Sequence, residues 1–168
     1  MPSEGECMIG ILGNQIIGPF FIDGNLNAEK YLNLLRDEII PTLRRLNINL
    51  NRIWYQQDGC PAHNARAVCE FLQETFPDKV ISTQGFIRWP PRSPDLSLNN
   101  FCLWGYLKET IYRHKHERAN TLEELCAKIV HATNNIPVEM LKNSRTEFYN
   151  RPGYCLAQSG GLFEHLLK

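Results

Sequence analysis

The chain has 168 residues, a length that suits a single domain. Of these, 43% are hydrophobic and 21% charged, ordinary proportions for a globular protein. Lys and Arg total 18 and Asp and Glu total 18, so the formal charge is zero. That excludes a strongly basic nucleic-acid cloak and an acidic tail, though not a local basic groove. No apolar run approaches the length of a membrane span, and no membrane partner is expected. The start, Met1 to Glu6, has neither the basic nor the apolar region of a secretory signal.

Residues 8–22 hold two apolar runs flanking Gly13-Asn14, which predicts a β-hairpin. Pro19 points to an edge or a bulge in the second strand, and Asp23-Gly24-Asn25 to a turn. A helical stripe follows through Ala28, Leu32, Leu35 and Ile39, with Asn27 as its cap. Pro41 should break or kink it before Leu43 and Leu46 continue the stripe. Ile53 to Gln56 reads as a short strand ending at Gln57-Asp58-Gly59. A second helix carries Ala65, Val68, Leu72 and Phe76 on one face, and Val80 to Ser82 is a brief strand.

Trp89 to Asp95 is an extended, proline-stiffened loop. From Leu96 the chain turns helical, with Asn100, Trp104, Leu107 and Ile111 sharing a face and Trp104 expected in the core. Arg113 to Arg118 is a polar loop, whose His114 and His116 get no special role. Thr121 and Glu124 have capping-box spacing ahead of Leu122, Leu125, Cys126, Ile129 and Val130. Pro137 suits the first turn of a further helix bearing Leu141, Ser144 and Phe148. The tail, Arg151 to Lys168, breaks at Gly160-Gly161 before Phe163 and Leu166. No repeat or linker divides the chain, so residues 1–168 read as one α/β domain with some parallel pairing.

The six cysteines are scattered without a CxxC pair, and read as free, mostly buried thiols. Cys60 and His63 have the spacing of a zinc half-site, but no second ligand pair matches them. Asp58 is the most informative acid, because functional residues in open α/β sheets gather at strand carboxyl ends. By position alone, a turn or helix-capping aspartate is the favoured reading. His63 either orients the Asp58 loop or caps the helix that begins near Asn64.

Three ordered motifs go further. They are Gln56-Gln-Asp-Gly-Cys-Pro-Ala-His63, Trp89-Pro-Pro-Arg-Ser-Pro-Asp-Leu96 and Asn99-Asn-Phe-Cys-Leu-Trp-Gly-Tyr-Leu-Lys108. With Ile16 to Tyr31 and Phe163 to Leu167, they resemble the catalytic domain of mariner-like DNA transposases over residues 8 to 167. The resemblance implies an RNase H-like mixed sheet of five strands flanked by helices. It also implies DNA as partner, work in the nucleus rather than the cytoplasm, and three acids holding two Mg²⁺ or Mn²⁺ ions. Two cations bridging the scissile phosphate stabilise its attacking and leaving oxygens.

Residue by residue, Asp58 falls at the second acid and is the expected metal ligand. Asn100 falls at the third, where an amide oxygen brings no charge. Asp95 belongs to the loop before that helix, where an N-cap role suits it better. The first acid belongs on a central strand upstream of the opening hairpin, and neither Asp23 nor Asp37 has its context. The resemblance therefore describes an N-terminally truncated remnant, its sheet lacking the first strand, with extra C-terminal helices. Such a sheet would be weak, rearranged or completed by another chain, whether a second copy or a related transposase.

Arg88 and Arg92 are the candidate phosphate contacts, beside Trp89. The expected function is thus a transposase-derived domain that has lost cleavage and keeps residual nucleic-acid binding. The alternatives are an endonuclease completed by another chain, a non-catalytic interaction module, and a gene relic.

Overall fold

The computed structural model describes residues 5–90, 93, 96–113 and 119–161, with side chains at all of these except 100 and 101. Strands β1 (Gly5–Leu12) and β2 (Gln15–Asp23) form the expected hairpin. Gly13 takes the first central position of its two-residue turn at φ 60, the sign a type II′ turn needs there. A second sheet runs in the order β3–β4–β5, from Tyr55–Gln56, Val80–Ser82 and Ile87–Arg88. Both of its pairings are parallel. The five strands therefore form a pair and a triplet rather than one ladder. The central strand expected between the hairpin and β3 has no counterpart among the described residues.

The chain packs as two compact units, Met1–Met8 with Phe20–Arg92, and Ile9–Pro19 with Ser93–Lys168. In the first, Asn27 caps helix α1 (Ala28–Leu34) as expected, its side chain accepting from the Lys30 N–H at 2.9 Å. Pro41 does not break the helix. A π-helical turn at Leu35–Ile39 precedes helix α2 (Ile40–Arg45), and the Ile40 N–H reaches back five residues to Leu35 O. The wider turn accommodates a ring that has no N–H and would crowd the carbonyl of Asp37 in an α-helix. The amphipathic stripe is preserved, with Tyr31, Leu34, Leu35, Ile39, Ile40 and Leu43 buried. Helix α3 (Arg66–Thr75) packs on α1 and buries Val68 and Leu72, and Phe76 follows at its end. Each such side chain contributes roughly 1.5–3 kcal/mol of burial.

In the second unit a π turn at Asn99–Leu103 leads into helix α4 (Trp104–Tyr112), the Trp104 N–H again bonding five residues back to Asn99 O. Leu107 is buried as expected, and Leu103, a turn before it, takes the buried place ahead of Trp104. Trp104 is half-buried rather than core. Asn99 ties this turn to the hairpin, donating from Nδ2 to Ile9 O at 2.8 Å.

Helix α5 (Leu122–Asn134) starts with the expected cap, Thr121 Oγ1 accepting from the Glu124 N–H at 3.1 Å. Glu124 returns a bond to the N–H of Asn120, one residue before the cap. Val130 is exposed rather than part of the stripe, and Ala132 is buried instead. Helix α6 (Val138–Ala157) buries Leu141 and Ser144. It continues through Pro152 into residues expected to form a separate tail, and Ser159 and Gly160 end it at positive φ. The expected contents of loops 91–92 and 114–118, Pro94, Asp95 and residues 162–168 lie outside the described residues. All six cysteines are free and half-buried. No helix among the described residues is long and apolar enough to cross a membrane.

The unexpected strand β5 depends on Gly85. Only four residues separate Ser82 from Ile87, so the chain doubles back tightly against β4. A Cβ on Gly85 would lie 2.4 Å from Val80 O and 2.8 Å from Ser82 N, both backbone atoms. Gly85→Ala should therefore cost about 1–3 kcal/mol in denaturant unfolding. Gly105→Ala, on α4 with nothing within 4 Å of the new methyl, should instead stabilise by about 0.5–1 kcal/mol.

Candidate functional site

The parallel ladder carries the chain to the carboxyl end of β3. The Tyr55 N–H bonds Lys79 O at 2.9 Å and the Gln57 N–H bonds Ile81 O at 3.0 Å. Asp58 is the first residue past the last of these bonds. Its Oδ1 accepts from the Cys60 N–H at 3.0 Å, a turn that an aspartate side chain makes readily. The 3-10 turn Pro61–Asn64 then folds His63 back, and His63 Nδ1 lies 2.8 Å from the same Oδ1. The other oxygen, Oδ2, has no protein partner among the described residues, and the side chain is half exposed. His63 thus orients the Asp58 loop; α3 begins later, at Arg66, and has no side-chain cap.

Beneath this loop lies a buried polar network with forced proton positions. Gln57 Nε2 donates to His63 O at 2.9 Å, since a carbonyl can only accept. That turns Gln57 Oε1 toward Tyr31, whose hydroxyl donates to it at 2.9 Å. The Tyr31 proton is then committed, so the Tyr55 hydroxyl, 2.9 Å away, donates to Tyr31. The Tyr31 ring also packs on the imidazole of His63, with centroids 4.2 Å apart. The Tyr31–Gln57 and Gln57–His63 bonds are buried, and the Tyr31–Tyr55 and His63–Asp58 bonds partly so.

These contacts set the ionisation. The hydrogen bond from His63 holds the Asp58 carboxyl below the usual carboxylate range against the opposing effect of partial burial, and the Cys60 amide adds to it. Burial pushes the Tyr31 hydroxyl well above its ordinary value and that of Tyr55 up to about 12. With Asp58 ionised, His63 Nδ1 carries the proton of their shared bond. His63 Nε2 is buried and has no partner among the described residues.

The other expected site residues fall as follows. Asn100 lies in the π turn of the second unit, and its side chain is outside the described residues, as are Arg92 and Asp95. Arg88 sits on β5, exposed and in no ion pair among the described residues. Trp89 is half-buried, its N–H bonded to Ser82 O at 2.8 Å. Reading the sequence gave Tyr31, Tyr55 and Gln57 no role. Gln57 stood beside Asp58 in the same motif, but nothing in a linear pattern says that a tyrosine 26 residues away will meet it.

A divalent ion of the Mg²⁺ type takes several oxygen ligands, including more than one carboxylate in a two-metal site. Among the described residues no three His, Cys, Asp or Glu side chains converge to hold a metal. Asp58 offers one free carboxylate oxygen, its other being spent on two hydrogen bonds. The described residues therefore do not fit a metal pair, and the Cys60–His63 half-site gains no further ligand for zinc.

No protein-family model matches the chain, and no curated protein matches its sequence. Solved structures do match its fold. The Mos1 transposase catalytic domain with raltegravir and Mg aligns with TM-score 0.79 at 17% identity, over 95% of this chain and 83% of that one. Its counterpart with Mn gives 0.77 at 18%, over 95% and 82%. The Mos1 strand transfer complex gives 0.74 at 19%, over 90% of this chain and 41% of that one.

The chain therefore has a mixed α/β fold of the RNase H-like class. More narrowly, the fold is that of the catalytic domain of the mariner transposase Mos1. It spans about two fifths of the length of the Mos1 chain in the strand transfer complex.

Asp58 should couple stability to acid. Its folded pKa is depressed, so the stabilisation is present above the ordinary carboxylate value and is lost as pH falls through the folded pKa. Asp58→Asn should melt below the parent at pH 7. The gap should hold down to about pH 4, near the unfolded pKa, and close below it. A gap of constant size down to strongly acid pH would contradict the assignment.

Proposed function

We propose that this chain is a mariner-like, transposable-element-derived catalytic domain that no longer cleaves DNA by itself and retains a capacity to bind nucleic acid. Its setting is the nucleus, where DNA is available. The observation that carries the reading is Asp58 at the carboxyl end of β3, in a chain with the fold of the Mos1 catalytic domain. Asp58 is the residue that the Gln56–His63 motif aligns with the second acid of that family. The Mos1 structures hold Mn or Mg and include complexes with transposon ends, which supports divalent metal and DNA as the ancestral ligands.

Loss of cleavage follows from charge. Two metal ions need several negative ligands to hold them against the scissile phosphate. The third-acid position is Asn100, whose amide supplies none, and Asp58 has only one oxygen to spare. What remains for nucleic acid is contact with the backbone, for which exposed Arg88 is suited and Arg92 is the neighbouring candidate in sequence. With equal numbers of cations and anions, the counterion-release contribution is small.

The test is nicking of supercoiled plasmid by the purified chain with Mg²⁺ or Mn²⁺, beside Asp58→Ala. The expected result is no nicking above that variant with either ion. Metal-dependent nicking that disappears in Asp58→Ala would instead make the chain a working endonuclease.

A further inference from the structure

Beside the three-stranded sheet lies an aromatic pair that the reading above does not use. Trp54 enters β3 and Phe86 enters β5, and their rings meet with centroids 6.3 Å apart at 44°. The backbones of β3 and β5 are separated by β4, about 10 Å apart in all, so the two rings reach toward each other from strands that are not neighbours. Yet Trp54 is 45% exposed, Phe86 62% and Ile87 45%. Large apolar groups left in water together mark a binding surface more often than single exposed ones do.

The charges beside the rings identify the occupant. Arg52 stands two residues before Trp54, and Arg88 two residues after Phe86, each within about 7 Å of chain. Both are exposed and neither forms an ion pair among the described residues. Lys79, at the head of β4, is held by Asn51 O, and Asp78 is the one acid in these segments. A second copy pairing edge to edge along β5 would set Arg88 near its own image, which like charge opposes. Cations flanking exposed rings instead complement a phosphate backbone with bases on the rings. A duplex hides its base faces, so the fitting form is single-stranded.

We propose that Trp54 and Phe86 form a stacking platform for single-stranded nucleic acid, with Arg52 and Arg88 contacting the flanking phosphates. This deepens the nucleic-acid part of the function proposed above, and it is independent of metal and of Asp58. The rings touch each other, so a base stacks on an outer face of the pair rather than between them. Stacking of this kind tolerates any base, so the platform reads strandedness rather than sequence.

The test is anisotropy of a labelled oligothymidylate and of a mixed-sequence duplex, titrated with the whole chain and with exposed-residue variants that thermal melts show to be folded. The expected result is tighter binding of the single strand. Trp54→Ala and Phe86→Ala should each weaken it about tenfold and leave duplex binding unchanged. Arg52→Gln and Arg88→Gln should each lower the salt slope for the single strand by about 0.7. Equal affinity for both forms, with the aromatic variants unaffected and Arg88→Gln weakened, would overturn the platform and leave backbone binding in place. No binding of either form would overturn both. A dimer by light scattering that Phe86→Ala dissociates, without nucleic-acid binding, would make the face a contact between copies and overturn the proposal.

Discussion

The first unit is organised around the side chain of Gln57. A buried amide needs a partner for its oxygen and for its nitrogen, and an unmade bond there costs about 1–3 kcal/mol. Gln57 meets this by giving a bond to His63 O and taking one from the Tyr31 hydroxyl. Those two bonds join the end of β3 to helix α1 and to the turn after Asp58. The sheet, the helix and the candidate site are thus fixed in one step. The tertiary partners are apolar where they can be: Tyr31 packs its ring on His63, and Tyr55 packs on Phe76 with centroids 5.1 Å apart.

From this follows the state of Asp58. A carboxylate held by the Cys60 amide and His63 is well oriented, and that is what a metal ligand needs from its surroundings. Orientation alone does not bind a divalent ion, because the charge has to come from several ligands. Under the proposed function, an asparagine at position 100 leaves this arrangement untouched, since the network is built on β3 and α1.

Much of this was legible in the sequence, and the exceptions have specific causes. The hairpin, the Asn27 and Thr121 caps, α3 and β4 follow from local chemistry, namely a turn glycine, a capping oxygen and an apolar period. Pro41 misled because a π turn supplies the room that an α-helix would not. Trp104 is half-buried because Leu103, which ends the π turn, takes the buried place one turn before Leu107. Strand β5 was invisible, since two residues carry no period and Gly85 makes the approach possible only in three dimensions. Asp58 could be picked out by its place after a strand and by its motif. Its partners Tyr31 and Gln57 could not, because hydrogen bonds across 26 residues leave no linear trace. The sequence offers His63 two roles, and its 2.8 Å bond to Asp58 decides for orientation over capping.

The central claim of the proposed function is that Asp58 is well oriented but does not by itself hold a divalent metal ion. Calorimetric titration of Mg²⁺ and Mn²⁺ into the purified chain, beside Asp58→Ala, tests it most directly. The account predicts that the two proteins give the same heats, with no saturable binding that depends on Asp58. A saturable isotherm in the parent that is absent from Asp58→Ala would contradict it.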